Sequence, residues 1–269
     1  MRNLSPLLLL PLALLAACDG DKDGLTDAEE AELGTDPSAD DSDGDGISDG
    51  DEVNTYLTDP LDADSDDDGH ADGDEISHGT LPLDPYSRPY YGGYNAGTCA
   101  ELPQATGPTG TASMDYNGQT YRWDAYQVGD IVENFTFLDQ FGETVDLLSF
   151  CDKTFIMTFS AVWCAPCNAE AETAQATMDA FRDQDFQYFS VLIQDRNYNT
   201  PSPEVVTKWS EDHEFVDVGS LGPVEGAESA FESYTANFEV DGYIPTQYLI
   251  GPGLEVLAAD TFVDPADYL

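Results

Sequence analysis

Between Asp19 and Glu75 the chain repeats one twelve-residue pattern of carboxylates three times, as Asp19–Glu30, Asp41–Glu52 and Asp64–Glu75. Each copy sets Asp at its first, third, fifth and ninth positions, Gly at the sixth and Glu at the twelfth, and the starts lie 22 and 23 residues apart. Such a period signals a repeat array. The connectors Gly34-Thr35-Asp36-Pro37 and Leu57-Thr58-Asp59-Pro60 are also alike. Apolar residues are sparse here, so hydrophobic burial alone cannot offset the entropy of ordering the segment. The region is expected to need a metal ion in order to fold. Across the whole chain 54 Asp and Glu face 8 Lys and Arg, a formal net charge of -46. That balance excludes nucleic acid as a partner, because phosphate binding needs Lys and Arg, and it repels anionic membrane surfaces.

The spacing resembles the EF-hand loop, in which alternate carboxylates converge on one ion, glycine permits a sharp turn and the final glutamate closes the site bidentately. The resemblance implies three ligand sets: Asp19, Asp21, Asp23, Asp27 and Glu30; Asp41, Asp43, Asp45, Asp49 and Glu52; and Asp64, Asp66, Asp68, Asp72 and Glu75. The carbonyls of Leu25, Ile47 and His70 would serve at the seventh position. Hard oxygen donors in flexible loops suit calcium better than magnesium or zinc. Convincing entering helices are missing and Pro37 and Pro60 lie between the loops, so the array looks like thrombospondin type 3 or dockerin-like acidic repeats. This implies a spacer made rigid by calcium; the alternative is a solvated acidic tether.

Ahead of the repeats, Arg2 precedes an apolar run from Leu7 to Leu15 broken by Pro11, and the small pair Ala16-Ala17 stands before Cys18. The run is shorter than the roughly 20 helical residues that span a bilayer, so it reads as an export leader and not as a transmembrane helix. Leu15-Ala16-Ala17-Cys18 resembles the lipobox of bacterial lipoproteins, which implies cleavage before Cys18 and its acylation; an ordinary leader with a cysteine near the cut is the other reading. The remaining thiols, Cys99, Cys151, Cys164 and Cys167, allow three pairings. Exported thiols tend to oxidise, and the close spacing of Cys164 and Cys167 makes them natural mates, leaving Cys99 with Cys151 as a structural staple.

After the repeats, a Tyr-, Gly- and Pro-rich stretch without period 2 or 3.6 reads as a linker. Its cluster Tyr86, Tyr90, Tyr91 and Tyr94 is expected to decorate an extended tether rather than pack on a domain. From Tyr126 strand and helix patterns alternate, which predicts an α/β domain. Phe135–Leu138, Phe155–Ala161 and Phe186–Ile193 read as strands, with a crossover helix over Ala165–Gln184. Helices are expected over Pro203–His213 and Glu225–Tyr234, and a closing hairpin over Thr246–Ile250 and Leu254–Ala259.

Trp163-Cys164-Ala165-Pro166-Cys167 falls where the central strand gives way to that helix. A thiol at a helix N-terminus faces unpaired N–H groups and the positive end of the dipole, which favour thiolate. Cys164 is therefore the expected nucleophile, and Cys167, in the same first turn, the resolving thiol. A zinc site is disfavoured because the other half is missing: Cys99 and Cys151 are distant and the histidines are only His70, His78 and His213.

Residues 126–260 resemble the thioredoxin superfamily, and more narrowly the exported TlpA/ResA-like redoxins. The resemblance rests on Val128-Gly129-Asp130, Phe135–Asp139 with Gly142, Phe159–Trp163, the two cysteines with Ala165-Pro166, Glu170, and Tyr243-Ile244-Pro245-Thr246. It implies a thioredoxin-like fold, a central mixed sheet flanked by helices, following an irregular calcium-binding repeat region. It also implies a cis Pro245 beside the cysteines, with Trp163, Ile244 and Pro245 in substrate binding. Thr158 stands where thioredoxins proper carry a buried acid; Glu170 is the candidate proton relay in its place, a solvated helix-surface glutamate being the plainer reading.

The expected organisation is a lipoprotein signal peptide at 1–17, acidic calcium repeats at 18–85, a linker at 86–122 and a redoxin domain at 123–269. The expected activity is that of an envelope thiol–disulfide oxidoreductase facing the periplasm or exterior, a reductase of protein disulfides recharged by an upstream thiol reductant, with calcium in the repeats and no organic cofactor. A calcium-dependent surface adhesion protein with a redoxin scaffold, and a peroxiredoxin-like peroxidase, are the alternatives.

Overall fold

The computed structural model describes residues 18–97, 99, 101–228, 232, 235–238, 244–260 and 262–269. The leader at 1–17, Tyr243 and half of the helix expected over 225–234 lie outside the described residues. The chain divides into two compact units, Met1–Leu83 and Asp84–Leu269. Among the described residues no helix is long and apolar enough to cross a membrane.

In the first unit each acidic loop runs into a short helix. Helix α1 spans Asp27–Leu33, α2 spans Asp49–Asp51 and continues as a π-helical segment over Glu52–Tyr56, and α3 spans Asp72–His78. The eighth residue of the loop caps the first two helices. Thr26 Oγ1 accepts from Glu29 N while Glu29 Oε2 accepts from Thr26 N, and Ser48 Oγ accepts from Asp51 N.

The second unit begins with a hairpin, β1 (Gly110–Tyr116) and β2 (Gln119–Ala125), turned by Asn117-Gly118, both at positive φ. The main sheet comprises β3 (Thr136–Asp139), β4 (Thr144–Asp146), β5 (Thr154–Ala161), β6 (Phe186–Gln194), β7 (Gly219–Gly222), β8 (Thr246–Gly251) and β9 (Glu255–Asp260), in the order β4-β3-β7-β6-β5-β8-β9. Strands β5, β6 and β7 are parallel, and the outer pairings are antiparallel. Helix α4 (Ala165–Phe181) crosses from β5 to β6, and α5 (Pro203–Asp212) precedes β7. Every residue of β5 is buried. Alternation along it sends Phe155, Met157 and Phe159 into one core cluster and Ile156 into another, where Ala174 and Met178 of α4 pack.

The aromatic cluster corrects the tether expectation. Tyr90 and Tyr94 are core residues, stacked among Phe150 and Phe189, with the Tyr94 hydroxyl 2.8 Å from Asp139 Oδ2 and that of Tyr90 2.7 Å from Ser149 Oγ. Arg88 reinforces the docking with an ion pair of 2.6 Å to Asp146. A ring without a polar tip would bury as much area, but the buried Asp139 carboxylate needs a donor, and Tyr94 supplies it. Tyr91 does remain 84% exposed.

Tyr94→Ala should therefore lower the free energy of unfolding by about 3–5 kcal/mol, the range for truncating a buried aromatic. Tyr91→Ala should change it by less than about 0.5 kcal/mol. Urea unfolding of the two variants checks the contrast, and equal effects would return the segment to a tether.

Candidate active site and cation-binding loops

Strand β5 ends at Ala161, and Cys164 occupies the N-cap of α4, its side chain accepting from Cys167 N at 3.2 Å. Pro166 fits the first turn because the N–H it lacks has no helical partner there. Asn168 holds the turn by donating through Nδ2 to Cys164 O at 2.7 Å. Cys164 and Cys167 form a disulfide with Cα atoms 5.2 Å apart, and Cys99 and Cys151 form the other, with Cα atoms 5.5 Å apart. Cys164 keeps 3% exposure while Cys167 has none, so an incoming thiol meets the Cys164 sulfur first.

The Ile244–Pro245 bond is cis, and Ile244 O lies 3.7 Å from Cys164 Sγ, so residues 80 apart in sequence meet at the disulfide. Trp163 is 42% exposed at the rim, with Nε1 donating to Gln194 Oε1 at 3.0 Å. Its ring centroid stands 5.0 Å from that of Tyr198, which is 66% exposed and held at φ 65°. Sequence reasoning passed over Tyr198, since an isolated tyrosine in a loop carries no local signal. A surface recess of about 560 Å³, lined by Trp163, Asn168, Glu172 and Arg196 among others, lies beside the motif.

Glu170 is half-buried and hydrogen-bonded rather than a solvated surface glutamate. Its Oε1 accepts from the Tyr188 hydroxyl and from Gln247 Nε2 at 2.8 Å, while Thr158 Oγ1 lies 2.8 Å from the Tyr188 oxygen. Burial raises the Glu170 carboxyl above its ordinary range, against the lowering effect of these two donors. The same burial, joined by the Glu170 charge, raises the Tyr188 phenol further. The expected relay thus sits in a buried polar cluster spanning β5, β6 and β8, and its hydrogen bonds run to Tyr188 and Gln247.

In the first unit the first, third and fifth aspartates of each loop converge: Asp19, Asp21 and Asp23; Asp41, Asp43 and Asp45; and Asp64, Asp66 and Asp68 each hold oxygens within 4.8 Å of one another. The closing glutamates Glu30, Glu52 and Glu75 are fully buried. Both carboxylate oxygens of Glu30 and Glu75, and Oε2 of Glu52, have no hydrogen-bond partner. Burial and the neighbouring aspartates push Glu52 and Glu75 up to about 8, the Thr58 hydroxyl opposing this at Glu52. Buried carboxylate oxygens without donors, facing other carboxylates, fit a hard cation. The twelfth-position glutamates would close each site on the three aspartates of its own loop.

Residues 128–258 match the AhpC/TSA family, and residues 18–38 and 41–63 match the bacterial TSP3 repeat. No curated protein matches the chain. Among solved structures, the thioredoxin domain of a thiol-disulfide oxidoreductase from Bacteroides vulgatus is 20% identical, covering 51% of this chain and 89% of that one, at a TM-score of 0.42. A putative thiol:disulfide interchange protein, DsbE, from Chlorobium tepidum is 18% identical over 52% of this chain and 89% of its own, at a TM-score of 0.40. The peroxidoxin BcpB from Mycobacterium tuberculosis is 19% identical over 50% and 84%, at a TM-score of 0.38. With its cysteine pair at the start of α4, the segment 128–258 is thus similar to the AhpC/TSA family, in one chain with segments similar to bacterial TSP3 repeats.

Proposed function

We propose that the protein is an envelope thiol–disulfide oxidoreductase that reduces disulfides of other proteins, anchored by lipid on Cys18 and carried on calcium-binding repeats. One observation carries the enzymatic part: a cysteine pair bridging the first turn of α4, of which only Cys164 keeps any exposure, beside the carbonyl of Ile244. In the reduced protein the Cys164 thiolate attacks one sulfur of a substrate disulfide, and the other substrate sulfur leaves as a thiolate. The Cys167 thiolate then attacks Cys164 Sγ, which closes the intramolecular disulfide and frees the second substrate thiol. An upstream dithiol reductant returns two electrons and takes the oxidised form itself. The N–H of Cys167 and the start of α4 stabilise the Cys164 thiolate, and Ile244 O and the Trp163 and Tyr198 rings line the approach.

The reductase direction draws support from Ala165-Pro166 between the cysteines, a dipeptide nearer to reducing redoxins than to strong oxidants. Anchoring draws support from the leader-like sequence before Cys18, and from Cys18 being exposed and outside any disulfide. The buried, donorless glutamates support calcium in the loops, where the ion would supply the positive charge those carboxylates lack.

Insulin reduction by dithiothreitol should be accelerated by the wild-type chain and not by Cys164→Ser, while Cys167→Ser should accumulate a mixed disulfide seen as a mass increase. No gain over Cys164→Ser would end the enzymatic reading, and thiol-dependent consumption of hydrogen peroxide without insulin reduction would turn it into a peroxidase. Because Glu170 is raised in the folded state, its contribution to stability falls as pH climbs from the unfolded glutamate value, about 4.3, through the folded one. Urea unfolding of the oxidised protein across that window should show the loss in wild type and a flatter profile in Glu170→Gln. Calcium at a hundredfold excess over its dissociation constant should stabilise the repeat unit by about 2.7 kcal/mol per site, raising a thermal midpoint that a chelator lowers again.

A further inference from the structure

The ninth-position aspartates of the three loops are not equivalent. Asp49 and Asp72 are fully buried, whereas Asp27, whose loop follows no other acidic loop among the described residues, is exposed. The next residue differs in the same way: Gly50 and Gly73 in the later copies, Ala28 in the first. Packing explains the glycines. A Cβ on Gly50 would stand 2.2 Å from Asp23 O, and one on Gly73 2.4 Å from Asp45 O. Their N–H groups donate to Asp23 Oδ2 at 2.7 Å and to Asp45 Oδ2 at 2.8 Å. The other oxygen of each of these fifth-position aspartates accepts from its own loop, from Leu25 N and Ile47 N. The start of each later helix is therefore pressed onto the aspartate triad of the loop before it.

That contact delivers the next ninth-position carboxylate to the preceding site. Asp45 and Glu52 of the second loop and Asp72 of the third hold oxygens within 4.8 Å of one another, and Glu52 is fully buried with Oε2 unpartnered. One repeat earlier, the Gly50 N–H on Asp23 Oδ2 carries Asp49 to the first loop, whose buried Glu30 likewise has both oxygens unpartnered. Asp49 and Asp72 are also held by their own loops. Ser42 and Ser65 orient them through backbone and hydroxyl donors: Ser42 N and Oγ lie 2.8 and 2.7 Å from Asp49, and Ser65 N and Oγ lie 2.9 and 2.6 Å from Asp72.

We infer that Asp49 and Asp72 are shared carboxylates, each serving the divalent-cation site of its own loop and that of the preceding loop, so that neighbouring sites fill cooperatively. The inference rests on the reading of the repeats as cation loops. A cation in the second loop fixes Asp72 and with it the framework of the third site. The sequence has no fourth acidic loop after Glu75, so the third site receives no carboxylate from a successor.

Calorimetric titration of the full chain with calcium separates the two claims. Wild type should bind with positive cooperativity. Asp72→Asn, which keeps the shape and an acceptor for Ser65, should weaken two sites at least tenfold each and remove the cooperativity between them, whereas Asp27→Asn should weaken one. Far-UV circular dichroism at saturating calcium checks that each variant orders; where Asp72→Asn does not, Asp49→Asn carries the same expectation for the first and second sites. If both aspartates cost a single site each, like Asp27, carboxylate sharing is wrong while the cation loops stand. If wild type takes up no calcium, the cation-loop reading falls and the sharing falls with it.

Discussion

Strand β5 buries both of its faces, and the place of the cysteine pair follows from that constraint. A strand covered on two sides must be apolar throughout, which Phe155, Ile156, Met157 and Phe159 satisfy, and it must sit between other strands. Its parallel pairing with β6 then demands a crossover, which α4 provides on the face where Ala174 and Met178 pack against Ile156 and Tyr188. The last turn before that crossover is the one place where a side chain can stand at once at a strand end and at a helix start. Cys164 occupies it. On the far side β8 runs antiparallel to β5, so its beginning reaches the same end of the sheet and sets Ile244 beside Cys164.

This much was legible because each of these elements announces itself over a long local run. The β8–β9 hairpin around Gly251-Pro252-Gly253 and α4, whose buried positions Cys167, Ala171, Ala174 and Met178 keep a helical period, are of the same kind. Tyr90 and Tyr94 were not legible, since their partners Phe150, Asp139 and Phe189 lie far along the chain and the tyrosines sit among glycines with no period. The β1–β2 hairpin was missed for a different reason: Asn117-Gly118 is a turn signal and Ala112, Met114, Tyr121, Trp123 and Ala125 alternate with polar residues, but the run is short, mostly exposed and set in a Gly-, Pro- and Thr-rich stretch. Strand β7, Gly-Ser-Leu-Gly, has almost no side chain by which to recognise it. In the repeats the ligand spacing was plain, but the packing of one copy on the next was written only in Gly50 and Gly73 against Ala28.

The two units meet the demand for order by opposite means. The second unit excludes water from aromatic side chains, each worth about 1.5–3 kcal/mol when fully buried. The repeats bury carboxylates instead, Glu30, Glu52, Asp49, Asp72 and Glu75, which is unfavourable unless a positive charge stands among them. A fold of that kind is conditional on its surroundings in a way that a hydrophobic core is not.

Within the second unit one polar cluster does what apolar contacts of small side chains cannot. Ala171 and Ala174 lay α4 close to the sheet, but a surface of methyl groups resists sliding only weakly. Glu170, one turn beyond Cys167, is tied to Tyr188 on β6 and Gln247 on β8, with Thr158 of β5 bonded to Tyr188 between them. Three adjacent strands thereby grip the cysteine-bearing end of the helix through directional bonds. Thr158 is short enough to leave room for this; an acid on that strand would set a second carboxyl against Glu170. Glu170 thereby fixes where the helix begins relative to Ile244.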